Sequence, residues 1–197
     1  MRRLTTDIAG SSEGPTRKPA ELRQLRQALR EVRATGAHSA DERALATVLR
    51  SSREQLASAL GSLTACAGCA TPYPLPASQW PGGFCCSGRT DALFDEGELA
   101  ALHASGTRPR HLRPPRAARA GCLFRGPAGC SLPPRHRPNQ CLRYLCRDVQ
   151  HELHARRALA RVEELCQENK ALFERLLRLR KDRLERSFCD NLATRIR

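Results

Sequence analysis

The sequence predicts a mainly α-helical protein with a loop-rich core, held together by cysteine ligands and a metal, between an N-terminal helical pair and a long C-terminal helix. Three observations support this fold class. Leucines recur at helical spacing near both ends of the chain. Most glycines and prolines lie between those ends. Eight of the 10 cysteines fall in the same middle region. The predicted domains are a disordered segment 1–19, a helical pair 20–64, a cysteine-cluster domain 65–147 and a helix 148–197.

The N-terminal region predicts two helices joined at Gly36. The first spans Ala20–Ala34 and carries an apolar stripe of Leu22, Leu25, Leu29 and Val32. The second begins at Ser39, whose hydroxyl can cap the helix while Glu42 completes a capping box. Its stripe comprises Leu45, Val48, Leu49, Leu56, Leu60 and Leu63. Both helices are expected to be packing elements.

The middle region predicts loops, with one short helix at Asp95–Ala104. Asp95 can cap this helix, and Glu98 follows three residues later. The segment Arg108–Ala120 is basic and interrupted by prolines, so it predicts an exposed loop. Such a loop is either a solvated connector or a docking surface for a partner.

The tail predicts one long helix, because no proline or glycine follows Asn139, and Asn139 itself is a reasonable cap. Apolar residues and one asparagine alternate there by three and four, as in a coiled coil: Val162, Leu165, Asn169, Leu172, Leu176 and Leu179. The favoured interpretation packs this seam on the chain's own N-terminal helices. The alternative is self-association, or binding of a protein partner, through the tail helix.

The cysteine spacing predicts a metal centre. Cys66 and Cys69 form a C-x2-C knuckle, in which two intervening residues let both sulfurs reach one ion. The predicted ligands are Cys66, Cys69, Cys85, Cys86, Cys122, Cys130, Cys141 and Cys146. Four-thiolate sites suit either Zn²⁺ or an iron–sulfur cluster, and eight cysteines without a convincing histidine lean toward the cluster. Cys166 and Cys189 are interpreted as spare thiols, and His136 as a weaker substitute ligand.

The expected cellular location is based on the lack of a signal peptide and of a long apolar stretch. The first residues lack the apolar run of a signal peptide, and no long apolar stretch occurs. A cytoplasmic protein with no membrane association is therefore expected. Reducing conditions there favour metal binding over disulfides.

The formal net charge of the chain at pH 7 is strongly positive, at +14. Arginine clusters neutralise phosphates, so this charge raises the possibility of nucleic-acid binding. No aromatic stacking platform or known fingerprint accompanies the arginines, which makes nucleic acid the weaker interpretation. From Leu99 to Arg147 there is no Asp or Glu. That acid-free surrounding suits the stabilisation of thiolates.

The cysteine blocks resemble a known family. Cys66-x2-Cys69, Cys85-Cys86 and Glu98-Leu99 resemble the CxxC…CC…E pattern of the YkgJ-type cysteine-cluster family. Two further blocks resemble it as well: Gly121–Phe124 with Gly129–Leu132, and the closing segment Arg137–Cys146. The resemblance implies a zinc- or iron-chelating domain over residues 65–147. One branch of the family resembles flagellin lysine-N-methylases.

Three functions remain open at this level. The favoured one is a metal-binding protein with a redox or metal-handling role. The second is a protein-modifying enzyme resembling the methylase branch. The third is a structural zinc scaffold for a protein partner. The sequence contains no P-loop, nucleophile elbow or dinucleotide fingerprint, so it leaves open whether the protein is an enzyme.

Overall fold

A computed structural model describes residues 17–34, 38–66, 90–115, 122–126 and 129–195. Its helices are α1 (Arg17–Ala34), α2 (Ala40–Leu60), α3 (Thr90–Leu93), α4 (Glu96–Ala104), α5 (Asn139–Arg143), α6 (Arg147–Ala155) and α7 (Leu159–Arg195). Two strands, β1 (Arg125–Gly126) and β2 (Gly129–Cys130), pair antiparallel. Two 3₁₀ turns lie at Pro109–His111 and Pro134–His136. The mainly α fold class is confirmed, while its stabilisation by a metal stays a prediction. The predicted break at Gly36 lies outside the described residues.

Helices α2 and α4 begin at the predicted caps, but their glutamates have other partners. The Ser39 hydroxyl accepts from the amide of Glu42 at 3.1 Å, and the Asp95 carboxylate accepts from the amide of Glu98 at 2.7 Å. Each cap satisfies one amide that the helix leaves unpaired. Neither glutamate side chain turns back to complete a capping box. Glu42 binds Arg183 of α7, and Glu98 binds the amide of Asn139. Neither side chain caps its own helix: Glu42 joins α2 to α7, and Glu98 joins α4 to the start of α5.

Helix α7 packs along α2, and this is the main helix–helix contact among the described residues. The predicted tail seam forms this interface: Val162, Leu165 and Leu176 are buried, and Leu172 and Leu179 are partly buried. Asn169 is fully buried and donates from Nδ2 to the Ser52 hydroxyl at 3.1 Å. The interpretation that the seam packs on the chain's own N-terminal helices is confirmed. Within the chain, this face of α7 is covered by α2.

The distal end of α7 presents a different face. Leu184, Phe188 and Leu192 are exposed at intervals of four residues, and Phe188 is 65% exposed. Residues four apart lie on the same side of a helix. Self-association or partner binding through the tail helix stays a prediction, and these exposed apolar residues are the part of α7 that could take part in it.

The predicted continuous helix from Asn139 is wrong, because the tail is divided into α5, α6 and α7. Arg157 has φ of 56°, the left-handed conformation that ends α6. The amide of Ala158 donates to the Leu153 carbonyl at 2.9 Å, and that of Arg157 to the His154 carbonyl at 2.9 Å. These bonds form a Schellman-type cap, which glycine usually occupies. The break could not be predicted from the sequence, because position 157 is an arginine and not a glycine.

Replacing Arg157 by glycine is expected to raise the free energy of unfolding by about 1 kcal/mol, because glycine adopts the left-handed conformation without strain. Urea denaturation measures the change. The matched control is Arg161→Gly in the first turn of α7, where the same substitution is expected to cost about 1 kcal/mol. Destabilisation by Arg157→Gly would contradict the left-handed cap.

The buried residues form three clusters. The first joins α1, α4 and the hairpin, and contains Leu29, Leu102, Leu123 and Phe124 among its most buried members. The second joins the end of α2 to α5, α6 and the start of α7. The third lies between α2, α4 and the middle of α7. None of the described helices combines the length and hydropathy needed to span a bilayer.

Candidate metal centre

Cys122 and Cys130 lie close together in the β-hairpin. The antiparallel pairing sets Arg125 opposite Cys130, and the amide of Arg125 donates to the Cys122 carbonyl at 3.0 Å. Gly129 has φ of 98°, a conformation that glycine adopts without strain. The Cys130 side chain raises the pKa of Cys122, so the two thiols are electrostatic neighbours. The hairpin therefore brings together two of the predicted ligands.

Two further cysteines approach this hairpin from other segments. Cys141 lies in α5, where its amide donates to the Pro138 carbonyl at 3.0 Å. Its side chain packs against the same hydrophobic cluster that contains Cys122 and contacts Cys130. Cys66 follows the end of α2, and its β-carbon would lie 3.8 Å from a β-carbon added at Gly129. Segments distant in sequence thus converge on the hairpin.

The other cysteines are arranged differently. Cys146 packs against the second cluster, with Ala65 and Leu142, rather than the first. Cys166 is buried in that second cluster, and Cys189 is exposed on α7. Cys69, Cys85 and Cys86 lie outside the described residues. Among the described residues, no three side chains of His, Cys, Asp or Glu stand close enough together to hold a metal ion.

The Cys122 thiol is protonated at neutral pH. Burial raises the pKa of Cys122 to about 11, and the nearby Cys130 adds to the shift, against hydrogen bonds from Phe124 and Thr90. A thiol of this kind is a poor nucleophile. A metal cation can replace its proton and stabilise the thiolate in the same buried position. The chemistry of Cys122 therefore fits a ligand or a core residue better than a catalytic one.

His136 has other partners than a cysteine. Its Nδ1 lies 2.9 Å from the Thr107 hydroxyl, and its ring stacks on His111 with centroids 4.5 Å apart. His136 is 6% exposed. The weaker prediction that it substitutes for a cysteine ligand has no support from these contacts.

The buried Glu98 carboxylate positions α5. The sequence places Glu98 beside the Asp95 cap, and it does not indicate this contact with α5 and with Arg53. The Glu98 carboxylate accepts from the amide of Asn139 at 2.7 Å and lies 3.4 Å from Arg53 Nη2. Arg53 is fully buried on α2. Glu98 therefore caps α5 from another helix, in place of the predicted cap by Asn139. Nothing marks Arg53 in the sequence, since it interrupts a helix of mixed polar and apolar residues.

Burial raises the pKa of Glu98 to about 7, although the positive charge of Arg53 opposes the shift. The same burial lowers the pKa of Arg53. The Glu98 carboxyl group thus holds the first turn of α5, and with it Cys141, at a fixed place beside the hairpin. Its neutral and ionised forms both retain an oxygen that accepts from Asn139.

No protein-family model, curated protein or solved structure matches this chain. The resemblance to the cysteine-cluster family, drawn from the spacing of its blocks, therefore stays a prediction.

Proposed function

We propose that this protein binds a metal through cysteine thiolates, as an iron–sulfur cluster or as Zn²⁺, and that its role is redox chemistry or metal handling. The observation that carries the proposal is the approach of Cys66 and Cys141 to the hairpin that holds Cys122 and Cys130. These cysteines come from three segments of the chain, and a small cysteine-rich module with little apolar core needs an additional staple such as a metal.

The described cysteines near the hairpin do not form a metal site by themselves. The proposal takes further ligands from Cys69, Cys85 and Cys86, which the C-x2-C and adjacent-pair spacing indicates. Cys146 is the weakest of the predicted ligands, because it packs on a different cluster. We therefore expect Cys122, Cys130 and Cys141 to matter most among the described cysteines.

The redox or metal-handling role is favoured over the enzyme alternative because the cysteine spacing indicates metal ligands, whereas the sequence contains no P-loop, nucleophile elbow or dinucleotide fingerprint. Burial also raises the pKa of Cys122, which makes that one thiol a poor nucleophile. The scaffold alternative uses the same cysteine site. It differs in that the bound metal is zinc and the protein has no redox activity.

The test is anaerobic purification of the full chain, with iron, sulfide and zinc quantified per chain and the visible spectrum recorded. A cluster gives broad absorbance near ~400 nm with stoichiometric iron and sulfide. One or two zinc ions in a colourless protein would support the scaffold. Neither metal in stoichiometric amount would refute the proposal.

Substitutions then locate the site. Cys122→Ser, Cys130→Ser and Cys141→Ser are each expected to lower the bound metal to less than about half, because oxygen is a poor substitute for a thiolate ligand. The matched control is Cys189→Ser, which alters an exposed cysteine on α7 and should leave the metal content unchanged. Equal losses in all four variants would contradict a site at the hairpin.

A further inference from the structure

A cationic surface surrounds the stacked rings of His111 and His136. We define the arginine patch as Arg50, Arg108, Arg110, Arg113 and Arg135. Its members come from α2 and from the segments around the two 3₁₀ turns. The two imidazole rings stack with centroids 4.5 Å apart and an interplanar angle of 20°. The fold thus gathers side chains that are up to 85 positions apart in sequence.

Arginines border both stacked rings: Arg110 Nε lies 3.4 Å from His111 Nε2, and Arg135 Nε lies 3.3 Å from His136 Nε2. Burial lowers the pKa of His111, as do the charges of Arg110, Arg135, Arg108 and Arg113. Burial lowers the pKa of His136 to about 4, and His111, Arg135 and Arg50 add to the shift. Arg50 Nη1 would lie 3.9 Å from a β-carbon added at Gly106, beside the first turn. Both rings are therefore neutral at physiological pH and remain available for stacking.

The patch is poorly compensated by negative charge. No Asp or Glu occurs from Leu99 to Arg147. Helix α2 contributes Glu54, whose Oε1 lies 4.0 Å from Arg135 Nη1, with both side chains about half exposed. An exposed ion pair of this kind stabilises little. Several like charges held together without carboxylates attract an anion from solution.

Contacts within the protein orient the guanidinium groups. Arg108 Nη1 donates to the carbonyls of His103 and Thr107, and Arg113 Nε donates to the Arg110 carbonyl at 2.9 Å. Arg110 and Arg113 are nevertheless exposed, as is Arg135. A planar guanidinium that is already oriented loses less entropy when it binds a phosphate through two parallel hydrogen bonds.

We propose that the arginine patch binds the phosphodiester backbone of a nucleic acid. The arginines are spread over a surface built from three segments, which suits a chain of phosphates better than one small anion. The net charge of +14 adds long-range attraction to a polyanion. His111 is partly exposed beside the arginines, and its neutral ring offers a stacking surface for a base. The sequence indicated only the basic segment Arg108–Ala120; the addition of Arg50, Arg135 and the stacked His136 depends on the fold, because these residues are distant in sequence.

The test is fluorescence anisotropy of the full chain with labelled single-stranded RNA, single-stranded DNA and duplex DNA, each titrated over a range of salt concentrations. The first variant combines Arg110→Gln, Arg113→Gln and Arg135→Gln. The matched control combines Arg175→Gln, Arg178→Gln and Arg186→Gln, three exposed arginines of α7. Both variants lower the net charge by the same amount, and circular dichroism and urea denaturation check that both remain folded.

The patch variant is expected to bind at least about tenfold more weakly at physiological salt. Its plot of log K against log salt should lose about 2 units of slope on single strands, since each phosphate contact contributes about 0.7. The control should bind within about twofold of the original chain. Tighter binding of the original chain to single strands than to duplex DNA would support a stacking role for the His111 ring.

Three outcomes would overturn the proposal. The first is an absence of binding to all three nucleic acids. The second is equal weakening by the patch and control variants, which would reduce the effect to net charge. The third is competition by polyglutamate as effective as that by unlabelled RNA, which would assign the patch to an acidic protein instead.

Discussion

Replacing Glu98 by alanine is expected to lower the free energy of unfolding by about 3 kcal/mol, because a buried charge then loses its partner. Glu98 is 5% exposed, and Arg53 beside it is fully buried. Arginine stays protonated, so it cannot escape the loss by becoming neutral. The amide of Asn139 loses its acceptor in the same step. Chemical denaturation measures the change.

The control for this prediction is Glu96→Ala, two residues earlier on the exposed side of the same helix. The Glu96 side chain is 81% exposed and lies 3.5 Å from Arg180, so its loss should cost less than about 0.5 kcal/mol. Similar losses for both variants would contradict a buried role for Glu98.

The pH dependence of the free energy of unfolding distinguishes the original chain, with Glu98, from the variant Glu98→Gln. Burial raises the pKa of Glu98 from 4.5 to about 7. The folded state therefore binds this proton more tightly than the unfolded state, and the contribution of Glu98 to stability falls as the pH rises from about 4.5 to about 7. Glu98→Gln retains an acceptor for Asn139 and has no such titration. The difference in stability between Glu98→Gln and the original chain should change in that window and level off outside it.

Replacing Leu49 by alanine is expected to cost about 3 kcal/mol, because it leaves a cavity where α2, α4 and α7 meet. Leu49 is 0% exposed and lies in the third cluster with Ala101 and Leu176. Val48→Ala, one position earlier, is the matched control, since Val48 is 52% exposed. It should cost less than about 0.5 kcal/mol. Thermal and urea unfolding of the two variants measure the difference.

An equal cost for Leu49→Ala and Val48→Ala would show that α2 is rotated relative to the described packing. The sequence-based stripe contained both residues, and the inclusion of Val48 is wrong. Adjacent residues on a helix are separated by about 100°. The stripe was drawn too wide, because only the position of α7 determines which side of α2 is covered.

The helices were the most predictable part of the fold. Ser39 and Asp95 signalled the starts of α2 and α4, since a cap acts through bonds to amides only three residues away. The division of the tail was not predictable, because Arg157 carries no local preference for the left-handed conformation it adopts. The two backbone hydrogen bonds of the Schellman-type cap accompany this conformation, against the intrinsic propensity of arginine.

The candidate site stays a prediction. Cys122, Cys130 and Cys141 pack in or against the first cluster, but among the described residues no three potential ligands stand close enough to hold a metal. Cys146 does not join the first cluster, because the chain leaves α5 through a non-helical segment before α6 begins and carries it to the second cluster. The spacing of cysteines in the sequence shows which thiols can reach a common point along the chain. It does not show which hydrophobic cluster each side chain joins.

The amino-acid sequence by itself determined the helical character of the chain, the caps that begin two helices and the cysteine-rich middle, because each of these depends on neighbours within a few positions. Only the tertiary structure decided the partner of Glu98, the surface of α2 that α7 covers and the assembly of the arginine patch. These features join residues that are tens of positions apart, and such contacts form only when the apolar clusters bring distant helices together.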